Sequence, residues 1–272
     1  MAAMKQRTET FEGTRGPIVV HVWEGENVRR IALLAHGYGE HSGRYGHVAE
    51  VLVARGATVR GPDHLGHGLS GGDRAVILDF DDAVDDLHHV ASMALDAHPG
   101  LQVVLIGHSM GGLIATRYAQ RHGAELAGLV LSGPLIGRHE FADQLLALPE
   151  LPEIALDPTT LSRDPAVGEA YAGDPLVYHG PFRRPMLEAM RDAFADVEAG
   201  PGFGDLPTLY LHGEDDPLVP ISITRPAIER LRGSDFTEHV YAGAKHEIFN
   251  ELDRQEVIEQ VAAFADRVAP HR

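Results

Sequence analysis

The chain alternates between continuous apolar runs and stretches in which apolar residues recur at helical spacing. Runs that are apolar at consecutive positions are typical of strands buried on both faces of a parallel sheet. Such runs span residues 17–23, 29–37, 56–61, 101–107, 126–133, 207–213 and 237–243. A further strand around 8–13 is separated from the 17–23 strand by Gly-Thr-Arg-Gly, which predicts an antiparallel hairpin at one edge of the sheet.

Helical periodicity fills several of the intervals between these strands. Asp79, Asp81 and Asp82 precede one such stretch, and acidic residues favour a helix N-terminus. Three sets of residues would each share a helical face: Val48, Val51, Leu52 and Arg55; Val84, Leu87, Ala91 and Leu95; and Val257, Val261, Phe264 and Val268. Strands that alternate with such helices form βαβ units. The sequence therefore predicts an α/β fold, a mostly parallel sheet covered by helices on both faces.

The regular alternation stops between Gly133 and Gly204. Nine of the seventeen prolines lie in this region, so long regular elements are not expected there. Residues 141–151 and 183–194 are its two candidate helices. An insertion of this length between two core strands is more typical of a cap than of a plain loop. We predict a core and an inserted cap (lid), with the core at 1–133 and 205–272 and the cap at 134–204.

Composition and charge exclude several kinds of protein. The chain has 272 residues and no cysteine, which excludes a disulfide, a thiolate zinc site and a cysteine nucleophile. Its net charge of −17 argues against binding to nucleic acid or to an anionic membrane surface. No apolar run approaches the roughly 18 residues that span a bilayer, and the N-terminal stretch lacks the apolar core of a secretory signal. We expect a cytoplasmic protein, a monomer or homodimer, that acts on a small molecule.

The sharpest chemical signal is the segment IGHSMGG, residues 106–112. It contains the pattern Gly-x-Ser-x-Gly directly after a predicted strand and before residues with helical spacing. In this context a sharp strand-to-helix turn lifts the serine hydroxyl above the sheet, and the glycines let the backbone and the helix approach each other. We therefore predict Ser109 as a nucleophile rather than as an incidental serine in a glycine-rich turn.

A serine hydroxyl becomes a nucleophile when a base takes its proton and a carboxylate orients that base. In the fold that carries this turn, the carboxylate and then the histidine follow in later loops. His246 lies after the last predicted strand and is the candidate base. Glu214, Asp215 and Asp216 compete for the carboxylate role. The stretch DPLVP favours Asp216, because the chain turns after it into a helix near Pro220, and Asp215 is the alternative.

The oxyanion that develops on the acyl carbonyl needs two convergent backbone N–H groups. One is expected from Met110, the residue after the nucleophile. The other is expected from the loop after the 29–37 strand, where His36-Gly37-Tyr38-Gly39 is similar to the His-Gly-rich loops of esterases. The Tyr38 amide is the best candidate there.

Five ordered motifs resemble the monoacylglycerol lipase family of α/β-hydrolases. They are HGYGEHSGRY (36–45), DHLGHGLS (63–70), GHSMGG (107–112), HGEDDPLVP (212–220) and AKHEIFNE (244–251). The resemblance implies the α/β-hydrolase fold and a serine carboxylic ester hydrolase that cleaves monoacylglycerols to glycerol and fatty acid without a cofactor. It also implies the catalytic residues Ser109, Asp216 and His246, with Tyr38 and Met110 as the oxyanion hole.

The resemblance further implies how the substrate lies. The acyl chain would enter an apolar tunnel under the cap, and the glycerol would contact polar side chains at Glu40, Arg44, His108 and Tyr171. The segment between Gly137 and Leu161 departs from the family pattern, because prolines interrupt it and acidic residues add negative charge. We therefore expect at most weak contact with membranes, and an acyl preference that extends to short or aromatic groups.

Three other functions fit parts of the pattern. A catalytic metal could use the histidines and the aspartate of two loops: His36, His41, His47, Asp63, His64 and His67. Their spacing matches no zinc signature, so we expect no metal. A carboxylesterase for other small monoesters, including phthalate esters, would use the same triad. A prolyl-type serine aminopeptidase would hold its substrate's ammonium with acidic residues near the cap. Glu40 and Arg44 are one helical turn apart and are expected to pair, which favours a neutral polyol over a free cation.

Overall fold

The computed structural model describes residues 4–153 and 155–270. Its strands are β1 (Lys5–Glu12), β2 (Pro17–Glu24), β3 (Arg30–Ala35), β4 (Ala57–Pro62), β5 (Val103–His108), β6 (Leu126–Ser132), β7 (Thr208–Gly213) and β8 (Phe236–Tyr241). They form one eight-stranded sheet in the order β1-β2-β4-β3-β5-β6-β7-β8. β1 pairs antiparallel with β2, and β2 antiparallel with β4, whereas every later pairing is parallel. The hairpin edge and the parallel sheet predicted from the sequence are both confirmed.

Helices connect the parallel strands and cover the sheet. They are α1 (Gly46–Ala54), α2 (Phe80–Ala97), α3 (Met110–His122), α4 (Phe141–Leu146), α5 (Pro165–Gly173), α6 (Arg184–Ala199), α7 (Ile221–Leu231) and α8 (Arg254–Val268). Short 3₁₀ turns lie at Ser42–Tyr45, Gly123–Glu125, Pro158–Thr160 and Ile248–Asn250. Asp79 caps α2, since its side chain accepts a hydrogen bond from the Asp81 N–H, as the acidic start of this helix predicts.

The core lies on both faces of the sheet because successive side chains of a strand point in opposite directions. Leu33 and Leu105 enter the cluster that includes α2, α3, α6 and α7. Leu34 and Ile106, their neighbours in sequence, enter the cluster that includes α1 and α8. Strands buried on both faces and flanked by two helical layers confirm the predicted α/β-hydrolase architecture.

The segment between β6 and β7 departs from the prediction in its details. The helix predicted over 141–151 ends at Leu146, ahead of prolines that cannot continue a helix. The helix predicted over 183–194 extends to Ala199. α5 was not predicted; it begins after the capping residue Asp164 with a proline in its first turn. The division into a core and a separate cap at 134–204 stays a prediction, because α6 already packs its apolar face into the main core.

A helix needs about 20 predominantly apolar residues to span a bilayer. Among residues 4–153 and 155–270, no helix is both long enough and apolar enough to span a bilayer.

Candidate active site

Ser109 lies at the sharp turn between β5 and α3. Its backbone has φ of 55°, the left-handed region that a residue with a side chain rarely adopts. The flanking glycines are required by close packing. A Cβ on Gly111 would lie 2.0 Å from the Ala35 oxygen, and one on Gly107 would lie 2.4 Å from the Gly111 oxygen. The turn therefore presents the serine hydroxyl at the carboxyl end of the sheet, as Gly-x-Ser-x-Gly predicts.

Two later loops bring a histidine and a carboxylate to this hydroxyl. His246, which follows β8, has its Nε2 2.8 Å from the Ser109 Oγ. Its Nδ1 lies 2.7 Å from the Asp216 Oδ2, and Asp216 follows β7. The three residues form a continuous hydrogen-bonded chain and are all buried. This geometry lets the histidine accept the hydroxyl proton while the carboxylate stabilises the imidazolium that results.

The structure separates Asp216 from the neighbouring acidic candidate. The Asp216 Oδ1 accepts hydrogen bonds from the Leu218 and Val219 N–H groups, both at 2.9 Å, so the carboxylate is fixed toward His246. The Asp215 side chain is exposed instead, and only its backbone N–H is held, by the Ala244 carbonyl at 3.0 Å. Of the two aspartates, Asp216 is the one that contacts the histidine.

The protonation of the histidine pair follows from its surroundings. Burial alone would lower the pKa of His246, but the negative charges of Asp216, Glu247 and Glu40 outweigh burial and raise it above 6.5. Burial, and after it the neighbouring His246, lowers the pKa of His108 to about 4. His108 is therefore neutral near pH 7, while His246 is the group whose charge responds to pH in the range where a general base works.

The loop after β3 supplies the second wall of the site. The N–H groups of Tyr38 and Met110 donate no hydrogen bond within residues 4–153 and 155–270. The Glu40 Oε1 accepts the Gly37 N–H at 2.6 Å, and the Gly39 carbonyl accepts the Tyr178 N–H at 2.7 Å. These bonds fix the loop from both sides, and Tyr38 lies beside Ser109 in the lining of one cavity. The two amides are available to an oxyanion.

A buried charge cluster lies under this loop. Arg44 Nη1 donates to the Glu40 Oε2 at 2.6 Å and to the Glu247 Oε1 at 2.7 Å, and Arg44 Nη2 donates to the Glu247 Oε2 at 2.8 Å. The Tyr45 hydroxyl donates to the Glu40 Oε1 at 2.6 Å. The predicted pairing of Glu40 with Arg44 is present. Glu247 was not predicted; its signal in the sequence was only its position next to the candidate base.

A cavity of about 330 Å³ opens above Ser109. Most of its lining is apolar and includes Phe141, Leu145, Leu156 and Met190. Polar side chains line the part near the nucleophile: Tyr38, Glu40, His108, Tyr171, His246 and Glu247. Three of the four predicted substrate-binding residues therefore line the cavity. Arg44 does not; its guanidinium lies behind the two carboxylates, 5.0 Å from the centre of the Tyr171 ring.

The histidines of the two glycine-rich loops are held by hydrogen bonds. His36 Nε2 accepts the His64 N–H at 3.0 Å, and His41 Nε2 lies 2.9 Å from the Asp174 carboxylate. Asp63 accepts the N–H groups of Ser42 and Leu69, both at 2.8 Å. Ligand atoms of His21, His41 and Asp63 do lie within 4.8 Å of one another. Asp63 therefore fixes two loops, and the absence of a metal from this cluster stays a prediction.

Known proteins resemble the chain over nearly its whole length. The family described as "Serine aminopeptidase, S33" matches residues 26–253. Monoacylglycerol lipase of Mycolicibacterium smegmatis is 34% identical over 97% of this chain and 98% of its own length. Human monoglyceride lipase is 35% identical over 82% of this chain and 77% of its own length. The crystal structure of Paleococcus ferrophilus monoacylglycerol lipase has a TM-score of 0.77 and 28% identity, and the match covers 97% of this chain and all of that one.

The fold, the serine turn and these matches define a serine hydrolase of the α/β-hydrolase class. Within that class, the chain belongs to the serine aminopeptidase S33 family and, in it, to the monoacylglycerol lipase family. The family and the enzymatic nature predicted from the five motifs are thereby confirmed. Its lipase and esterase relatives act on small ester substrates, which agrees with the predicted kind of ligand.

Proposed function

We propose that the protein is a serine esterase that hydrolyses monoacylglycerols to glycerol and fatty acid through an acyl-enzyme. One observation carries the proposal: the hydrogen-bonded chain of Ser109, His246 and Asp216 opens into a cavity whose lining is mostly apolar and includes two carboxylates, Glu40 and Glu247. The names of the relatives in Mycolicibacterium smegmatis and human support the substrate class.

In the proposed mechanism, Ser109 attacks the acyl carbonyl while His246 takes its proton. The Tyr38 and Met110 amides bind the oxyanion of the tetrahedral intermediate, and His246 then protonates the leaving alcohol. A water that gives its proton to His246 attacks the acyl-enzyme and releases the acid. Every atom transferred comes from the ester, the water and these side chains, so the scheme needs neither a cofactor nor a metal.

The cavity sets the proposed orientation of the substrate. The acyl chain lies against the apolar lining, because this contact removes apolar surface from water. The glycerol then faces Glu40, His108 and Tyr171, which lie near the nucleophile. Arg44, predicted to touch the glycerol, acts through the two carboxylates that it binds.

A second candidate has one observation in its favour. The matching family is described as a serine aminopeptidase, and the cavity wall carries two carboxylates that could hold a substrate's ammonium group. A prolyl-type aminopeptidase would cleave an amide next to a free amino terminus. A carboxylesterase for short or aromatic monoesters is the third candidate, since it needs only the triad and the oxyanion hole.

A rate panel separates these candidates. It compares monoacylglycerols of several chain lengths, di- and triacylglycerols, short aryl esters, phthalate monoesters and a prolyl amide. We expect monoacylglycerols to give the highest kcat/KM. Ser109→Ala should abolish turnover while the circular dichroism spectrum and the melting temperature stay close to those of the wild type. Substantial residual hydrolysis by this variant would refute the nucleophile, and a preference for the prolyl amide would favour the aminopeptidase.

Exhaustive chelation serves as the control for a catalytic metal. Full retention of ester hydrolysis is expected, and loss that is restored by zinc would contradict the scheme. The cytoplasmic location, the monomeric or homodimeric state and the weak membrane contact stay predictions from the sequence.

A further inference from the structure

The charged side chains that line the cavity include carboxylates but no lysine or arginine among the described residues. The carboxylates are those of Glu40 and Glu247. The guanidinium of Arg44 is turned away, because the Tyr171 ring covers one of its faces and the two carboxylates take its donors. A ligand beside the nucleophile therefore meets carboxylate oxygens before it meets a positive charge.

Each carboxylate keeps one acceptor position. A carboxylate oxygen can accept two hydrogen bonds. The Glu40 Oε1 is filled by the Gly37 N–H and the Tyr45 hydroxyl, and the Glu247 Oε2 by Arg44 and the Asn250 amide. Among residues 4–153 and 155–270, the Glu40 Oε2 and the Glu247 Oε1 each accept only one bond, and both bonds come from the same nitrogen, Arg44 Nη1. The two oxygens that keep an acceptor position therefore both lie within hydrogen-bond distance of one nitrogen.

The cluster also carries net charge. Two carboxylates face one guanidinium, so the sum is −1 when both acids are ionised. Burial alone would raise the pKa of Glu247, but the Arg44 guanidinium outweighs burial and lowers it, so this carboxylate is charged at neutral pH. Without Glu247, the Glu40–Arg44 pair would be neutral. Removing either carboxylate leaves a neutral pair, and Glu247 is the one that does not also hold the Gly37 N–H of the loop after β3.

We propose that Glu247 makes the alcohol side of the site selective by charge: the enzyme hydrolyses esters whose alcohol carries an ammonium group or free hydroxyls and rejects esters whose alcohol carries a phosphate. The inference rests on the proposed function, since it assumes ester cleavage with the acyl chain on the apolar side. Two hydroxyls would donate to the free acceptors, and a quaternary ammonium, which has no N–H, would be attracted by the negative charge alone. A phosphate would face two carboxylate oxygens, and the Arg44 Nη1 between them already donates to both, in a place where water screens charge poorly.

Three esters that share one acyl chain test this selectivity. Decanoylcholine has a cationic alcohol, 1-decanoylglycerol a neutral one, and 1-decanoylglycerol 3-phosphate an anionic one. Each is assayed below its micelle concentration at one ionic strength. For the wild type we expect kcat/KM for the phosphate ester to be at least about tenfold below that of the glycerol ester, and the choline ester to be hydrolysed at least as well as the glycerol ester.

Glu247→Gln keeps the size of the side chain and removes its charge. We expect it to raise the phosphate-to-glycerol ratio of kcat/KM roughly tenfold and to lower the choline-to-glycerol ratio by a similar factor. Glu247→Asp keeps the charge and should keep the wild-type order. Glu50→Gln is the matched control, because Glu50 is exposed on α1 and does not line the cavity. It removes the same charge and should leave both ratios unchanged.

The outcomes separate this inference from the proposed function. Absence of Ser109-dependent hydrolysis of every ester overturns the proposed function and this inference together. The charge selectivity alone is overturned if the enzyme hydrolyses decanoylglycerol but Glu247→Gln changes the two kcat/KM ratios no more than Glu50→Gln does. If Glu247→Gln does not fold, the wild type decides: hydrolysis of the phosphate ester as fast as the choline ester refutes the role of Glu247.

Discussion

The contact between Asp216 and His246 gives a prediction whose size can be worked out. Asp216→Asn removes the negative charge while it keeps the shape of the side chain. The amide oxygen can still accept the Leu218 and Val219 N–H groups that hold the carboxylate, so the loop should keep its path. The lost interaction is the one with the imidazolium, which exists only while His246 carries the serine proton. The substitution therefore acts on the transition state rather than on substrate binding.

The magnitude follows from the distance. Opposite unit charges at the 2.7 Å between the His246 Nδ1 and the Asp216 Oδ2 interact by about 6 kcal/mol at an effective dielectric constant of about 20. A loss of this size lowers a rate by roughly four powers of ten. The asparagine can also present its NH₂ group to the ring and favour the wrong histidine tautomer, which would lower the rate further.

Hydrolysis of a p-nitrophenyl ester under saturating conditions measures this loss as a fall in kcat with little change in KM. Asp215→Asn is the matched control, because the Asp215 side chain is exposed and only its backbone is held. It should keep nearly full activity. If Asp216→Asn kept more than a tenth of the wild-type kcat, or if Asp215→Asn lost as much, the assignment of the orienting carboxylate would be wrong.

Three further predictions concern pH, packing and the oxyanion loop. Because neutral His246 is the active base and its pKa is raised, kcat/KM should fall as pH drops through an apparent pKa above 6.5; a flat profile down to pH 5 would contradict this. Gly111→Ala should destabilise the fold by more than about 3 kcal/mol in urea unfolding. Gly46 has a helical φ, and a Cβ added to it would meet no atom within 4 Å, so Gly46→Ala should leave the free energy of unfolding unchanged or raise it. Glu40→Ala should slow hydrolysis of an aryl ester about tenfold, because the Glu40 carboxylate holds the Gly37 N–H of the oxyanion loop. It should slow hydrolysis of a monoacylglycerol further. An unchanged rate for the aryl ester would contradict the role of Glu40 in holding this loop.

Sequence reasoning succeeded where a local pattern has a single structural solution. The seven apolar runs predicted β2 to β8 to within a few residues, and the Gly-Thr-Arg-Gly turn predicted the hairpin that pairs β1 with β2. The turn around Ser109 is likewise fixed within a few residues, because each glycine meets backbone that no side chain could approach. The order of the loops after β7 and β8 then placed His246 near the serine. Local chemistry and topology were enough for these positions.

The features that sequence reasoning missed depend on distant partners or weak periodicity. Glu247 binds Arg44, which lies 203 positions away, and no local pattern indicates such a contact. α5 buries only Tyr171 among its residues, so it lacks an apolar stripe that could have predicted it. The length of α6 was underestimated because its packing against the core continues to Val197, beyond the last obvious apolar cluster. Tertiary packing decided each of these.

The backbone of Ser109 links the rate of the enzyme to its stability. Holding a residue with a side chain at φ of 55° lowers the free energy of unfolding by about 1–3 kcal/mol, and packing of the surrounding sheet and helix offsets this loss. Ser109→Gly would release that cost, so this inactive variant should melt at a higher temperature than the active enzyme. At this one position, the residue that gives activity therefore lowers the stability of the fold. The rest of the fold must therefore be stable enough to hold Ser109, the proposed nucleophile, in this unfavourable backbone conformation.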